Sequence, residues 1–169
     1  MTAWILNLKN RALSQYQGYD FNSLATLNGM TLGASKDGIF VLGGLTDNGA
    51  PIECSFETPT SDYSTPALKN IPDIYVTLSS STGRQQVDTP APIRVKTITE
   101  GGLVRTYDAT APVYRGNTGL SGQGGDGFYM ARVRLSRGVV GRYWGIVVEN
   151  VNGALINVLS ITPVIASLR

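Results

Sequence analysis

One glycine-rich fingerprint stands out, Gly122-Gln-Gly-Gly-Asp-Gly127, with the Gly-x-Gly-x-x-Gly spacing of a dinucleotide site. That spacing holds a pyrophosphate only where it leaves a strand and opens a helix, whose first amides face the phosphates. Here it follows a polar stretch and precedes an alternating one, so its glycines are assigned to turns in a loop. Asp126 has no second carboxylate within several residues, which removes a calcium loop. Glycoside hydrolysis needs two facing carboxylates, and no pair stands out. Asp20, Asp37, Asp47 and Asp126 sit in turn contexts, where Asp bonds the local backbone. Glu53 and Glu57 alternate with apolar residues and mark a solvated strand face. The chain has no histidine and one cysteine, which excludes Ser-His and Cys-His nucleophiles, His-ligated metals and thiolate zinc. No catalytic residue, cofactor site or metal site is assigned, and the chain is not expected to be an enzyme.

Binding chemistry is more promising. Arg132, Arg134, Arg137 and Arg142 fall close together in the sequence. Nucleic-acid binding would add exposed aromatics. Trp144, however, alternates into an apolar face, and a net charge of +2 gives no strong pull toward a polyanion. The planar guanidinium fork favours interfaces and bidentate carboxylate pairs. The four arginines are therefore assigned to subunit contacts or to carboxylates on neighbouring strands. Trp4, Ile5 and Tyr16 are the matching apolar candidates near the N-terminus. They belong either to an edge strand laid on the core, the preferred reading, or to an arm on a neighbouring subunit. Fully extended, such an arm would reach roughly 60 Å. Tyr16, Tyr19, Tyr63, Tyr107 and Tyr114 could stack on sugars, although their spacing singles out no site.

The elements that must position these residues are strands. At 169 residues, with 42% hydrophobic and only 15% charged residues, the chain suits one domain with an extension. Cys54 has no intrachain disulfide partner. The first residues lack the pattern of a signal peptide, and no apolar run is long enough for a membrane span. From Gly127 to Leu168 the pattern has a period of two. Tyr129, Ala131, Val133 and Leu135 share one face, Arg132 and Arg134 the other, and Trp144, Ile146 and Val148 share a face in the next run. Asn152-Gly153 suits a tight hairpin between the second and third runs. This block is expected to be three consecutive antiparallel strands forming the nucleus of the fold.

Upstream, Asn28-Gly29 and Asp37-Gly38 divide residues 21–44 into a small meander. Ile52, Cys54 and Phe56 alternate, which predicts a buried Cys54. Pro72 forbids a helix interior, and a strand is expected from Asp73 to Ser80. Ile93–Thr99 and Leu103–Tyr107 flank a Glu100-Gly101-Gly102 turn, and residues 109–127 make the longest loop. The expected fold is all-β: an antiparallel, jelly-roll-like β-sandwich over residues 46–169, preceded by an N-terminal arm and small β-meander over residues 1–45.

Several short motifs point further. They are Phe21-Asn22-Ser23-Leu24, Gly33 with Asp37-Gly38-Ile39-Phe40-Val41-Leu42, and Lys69-Asn70-Ile71-Pro72-Asp73-Ile74-Tyr75. Arg134-Leu135-Ser136-Arg137-Gly138 with Arg142-Tyr143-Trp144, and Ile161-Thr162-Pro163-Val164, complete the set. Through them the chain resembles small virion structural proteins of long-tailed bacteriophages, associated with the tail and its distal end. The family's large aromatics after the Asn-Gly turn are replaced here by Leu155 and Ile156. The resemblance implies a non-catalytic structural role in a symmetric assembly; the leading expectation is a homo-oligomer bound to other virion proteins in the baseplate or tail-tip region. Assembly in the host cytoplasm and residence in the virion are expected with it, while net charge and the lack of a long apolar run predict no nucleic acid and no membrane span. The alternative is a carbohydrate- or receptor-binding sandwich module that uses the 109–127 loop.

Overall fold

The computed structural model describes residues 2–9, 11–43, 46–79, 81–82, 85–86, 92–102, 104–110, 113–114, 128–136, 138–154 and 156–167. Among them there is no helix; the chain is all-β, and every strand pairing is antiparallel. It divides into two compact units, residues 1–45 and 46–169.

The first unit holds β1 (Thr2–Leu6), β2 (Leu13–Gln17), β3 (Ser23–Leu27), β4 (Met30–Ser35) and β5 (Gly38–Leu42). The second holds β6 (Thr46–Asp47), β7 (Ala50–Pro51), β8 (Ser55–Glu57), β9 (Lys69–Ser79), β10 (Ser81–Thr82), β11 (Gln85–Gln86), β12 (Pro92–Thr99), β13 (Val104–Thr110), β14 (Val113–Tyr114), β15 (Phe128–Arg134), β16 (Trp144–Asn150) and β17 (Val158–Ser167). Strands β6–β7 and β10–β11 are two-residue hairpins. The other eight build two four-stranded sheets, ordered β13-β12-β16-β8 and β14-β15-β9-β17.

One core lies between these two sheets. Ile93 and Val95 of β12 and Trp144, Ile146 and Val148 of β16 face Ile74, Val76 and Leu78 of β9 and Ala131 and Val133 of β15. Burial along β12 alternates strictly, the signature of a strand with one dry and one wet face. Trp144 is fully buried, and its indole N–H, which would otherwise be costly there, donates to the Gly141 carbonyl at 3.1 Å. Strand β9 needs a correction of phase. Ile71 and Ile74 are both buried although three residues apart. The register of β17 against β9 breaks between Val164 and Ala166, opposite Asp73 and Asn70, so the shift falls at Pro72. Proline cannot donate to the ladder and is tolerated at such a bulge.

The expected nucleus of three mutually paired strands is not what forms. Strand β15 pairs with β9, β16 pairs with β12 and β8, and β17 returns to the other side of β9. Asn152 and Gly153 do take the positive φ of a turn, 55° and 69°. That turn, however, passes the chain from one layer to the other. A turn dipeptide fixes local backbone direction; which sheet receives the next strand is decided by the apolar faces available to it. The organising strand is β9, central in its sheet, and it begins at Lys69 rather than Asp73.

Cys54 also departs from expectation. It is exposed, as are Ile52 and Phe56: the stretch lies at or just before β8, a three-residue edge strand that among the described strands pairs with β16 alone. The segment is held instead by Asn150. Its Oδ1 accepts from the Cys54 amide at 2.8 Å, and its Nδ2 donates to the carbonyls of Ile52 (2.7 Å) and Ala154 (3.1 Å). The β12–β13 hairpin forms as expected around Glu100 to Gly102. The fingerprint glycines 122–127, Asp126 and most of the 109–127 loop lie outside the described residues.

Candidate assembly interface

The N-terminal pieces do not add an edge to the core sheets. Thr2–Leu6 and Leu13–Gln17 pair with each other in register from Thr2↔Gln17 to Leu6↔Leu13. Directly opposed residues share a face, so Trp4, Leu6 and Leu13 project to one side and Ile5 and Tyr16 to the other. All five are exposed, Trp4 at 62%. Leu8, in the connecting turn, is 86% exposed. An isolated two-stranded hairpin is marginal in water at best, and this one carries large apolar side chains on both faces.

The three-stranded meander β3-β4-β5 has one face that Phe21 covers only in part, where Leu24 stays exposed, and one bare face. On the partly covered face, Leu24, Gly33 and Phe40 are register partners. Gly33 has no side chain because Phe21 lies where it would be: a Cβ there would approach the Phe21 ring to 2.7 Å. Phe21 in turn meets Tyr19 edge-on at 4.9 Å and Phe40 at 5.9 Å between ring centroids. On the bare face stand Ala25, Leu27, Met30, Leu32, Ala34, Ile39 and Val41, with Ser23 at one corner. Ile39 is 76% and Val41 63% exposed. Gly33 is the one fully buried residue among the described residues of the first unit.

The arginines separate. Arg132 forms a bidentate pair with Asp73, Nε to Oδ1 at 2.9 Å and the terminal nitrogen to Oδ2 at 3.0 Å. Arg134, opposite Asp73 in register, sits 3.9 Å from the same carboxylate and is largely exposed. The Arg132 hydrogen bond, with the charges of both arginines, holds the Asp73 carboxyl below the usual range. Arg142 is elsewhere, in the loop before β16. Its amide donates to Glu100 at 2.8 Å, and its carbonyl accepts from the buried Lys69 ammonium. Glu100 takes the Tyr143 amide on its other oxygen at 3.1 Å. Arg137 lies outside the described residues.

Of the sequence candidates, then, Trp4, Ile5 and Tyr16 share one hairpin, Arg132 and Arg134 share one carboxylate, and Arg142 belongs to neither group. Sequence reasoning missed Leu6, Leu8, Leu13, Leu27, Met30, Ile39 and Val41. A signal was available: Ile39-Phe40-Val41-Leu42 is apolar on both faces, so a single three-stranded layer must leave one of them uncovered. Among the described residues no helix is long and apolar enough to cross a membrane. Comparison of the chain with known protein families, curated proteins and solved structures gave no match.

Proposed function

We propose that the chain is a non-enzymatic structural component of a bacteriophage tail, in the baseplate or tail-tip region, that assembles with copies of itself and with other virion proteins. The observation that supports assembly is the first unit. It spans residues 1–45, close to the size of about 40 residues below which disulfides, metals or oligomerisation are usually needed. Its described residues bury one glycine and display eleven large apolar side chains to solvent, from Trp4 to Val41. Of these, Leu27, Met30, Ile39 and Val41 share one face of the meander, and exposed apolar patches mark contact sites. The motif resemblance supplies the particle; the exposed strands supply the reason to join it. The sandwich has its own buried core, and in this reading the N-terminal unit makes the contacts with neighbours.

The test is quantitative mass spectrometry of purified virions from the phage that encodes the chain, with cross-linking. Peptides of this chain at stoichiometric abundance, cross-linked through residues 2–42 to other tail proteins or to further copies, are expected. Absence of the chain from infectious particles overturns the proposal.

A further inference from the structure

Resting on the reading of the first unit as an interface, we infer that the bare face of the β3-β4-β5 meander pairs with the same face of a second copy, about a two-fold axis running along β4. The argument starts from relief. Along β3 this face carries small Ser23 and Ala25 before the exposed Leu27 at its far end; along β5 it carries Ile39 and Val41, large and more than half exposed. Strand β4 lies between them with Ala34, Leu32 and Met30. A two-fold axis parallel to β4 turns one sheet over onto the other and exchanges left for right. Each copy's β5 ridge then lies over its partner's β3 hollow, Ile39 against Ser23 and Val41 against Ala25, twice by symmetry. Residues of β4 meet their own counterparts. This is the self-complementarity that an isologous contact demands. It also gives the single-layer meander the second layer that β-sheets need around a core, at the spacing of about 10 Å usual for packed sheets.

Charge agrees. The face itself carries no ionisable side chain, so its occupant must be equally apolar, and an identical face is. Met130 of the sandwich, by contrast, lies two residues from Arg132 on its strand, whereas the exposed Leu159 and Val164 of β17 share the lack of charge. At the β4–β5 turn Lys36 and Asp37 lie 4.0 Å apart and sum to zero charge.

Size sets the strength. Three strands about 4.8 Å apart and five residues long give a footprint on the order of 240 Å². That is about a third of the roughly 800 Å² that a stable pair buries on each side. The contact is therefore weak between free chains and closes where copies are held side by side.

The experiment uses the full chain with Cys54→Ser, which removes the sole cysteine, and Met30→Cys, which places a thiol on β4 at the open end of the face. Treatment at high protein concentration with a short bismaleimide, able to span packed sheets, is expected to yield covalent dimer. Thr31→Cys, exposed on the opposite face, is the control. Adding Val41→Glu to the Met30→Cys chain is expected to lower the dimer yield at least tenfold, with the sandwich melting transition unchanged. Dimer yield no higher for Met30→Cys than for Thr31→Cys, or indifferent to Val41→Glu, overturns the pairing. If virions contain the chain while Met30→Cys fails to cross-link both in solution and in particles, the pairing falls and the assembly reading stands.

Discussion

Glu100 accepts the amide hydrogens of Arg142 and Tyr143, and the bond from Arg142 contributes most to holding its carboxyl below the usual range. A carboxyl depressed by folding adds stability that is fully present above its unfolded value, about 4.3, and is lost as pH falls through its folded value. The melting temperature is therefore expected to be level near neutrality and to fall below about pH 4.3. Glu100→Ala should lower the neutral melting temperature and flatten that acid slope; scanning calorimetry across pH checks both. Asp73 behaves alike through Arg132, so Arg132→Ala should raise the Asp73 titration midpoint observed by carboxyl NMR. In the core, Trp144→Ala removes a fully buried ring and its bond to Gly141, at a cost of about 3–5 kcal/mol read from urea midpoints. The burial of Trp144 was legible from alternation alone. The separation of Arg142 from Arg132 and Arg134 was not. Closeness in sequence says nothing once the chain between them leaves one sheet for the other.

At the scale of elements, Asn150 ties the strand-poor stretch Ile52–Cys54 to the turn at Ala154. Asn150→Ala should cost about 1–2 kcal/mol. It should also free the Cys54 segment, so that native-state labelling of the thiol accelerates. Although Cys54 is exposed overall, partial desolvation by neighbouring chain pushes its thiol up from the ordinary value, so labelling of the wild type should be slow at neutral pH and rise in the alkaline range. In the meander, Gly33→Ala sets a methyl against the Phe21 ring; loss of the near-ultraviolet circular dichroism of the Tyr19-Phe21-Phe40 cluster is the expected sign. The β12–β13 hairpin and the β3-β4-β5 meander could be read from their turns because each joins neighbours in one sheet. The Asn152-Gly153 turn has equally good chemistry yet joins strands of different sheets, since nothing local distinguishes a hairpin from an arch between layers. Ile52, Cys54 and Phe56 alternate like core residues, but an edge strand of three residues leaves them uncovered.

For the whole molecule, two units with different interiors should differ in local stability. Amide exchange in the isolated chain is expected to be slowest in β9, β12 and β16 and fast throughout residues 2–42. The proposed assembly should slow the latter by more than tenfold, with little change in the former. Mass-spectrometric exchange on free chain and intact particle makes the comparison. The all-β class was legible because few charges, many glycines and period-two runs left no helical stripe. That the second unit owns nearly the entire interior was not, since apolar content is similar in kind along both and only the count of layers tells them apart.

Pro163 sits in β17, the outermost strand of its sheet, where the pairing to β9 also slips at two points. A foreign strand laid along that border would meet a residue that cannot donate and a backbone thrown out of step. Growth by ribbon extension is thus discouraged at the C-terminal flank. In the proposed assembly, copies would stay discrete along that border, and contact on that flank would be made by faces.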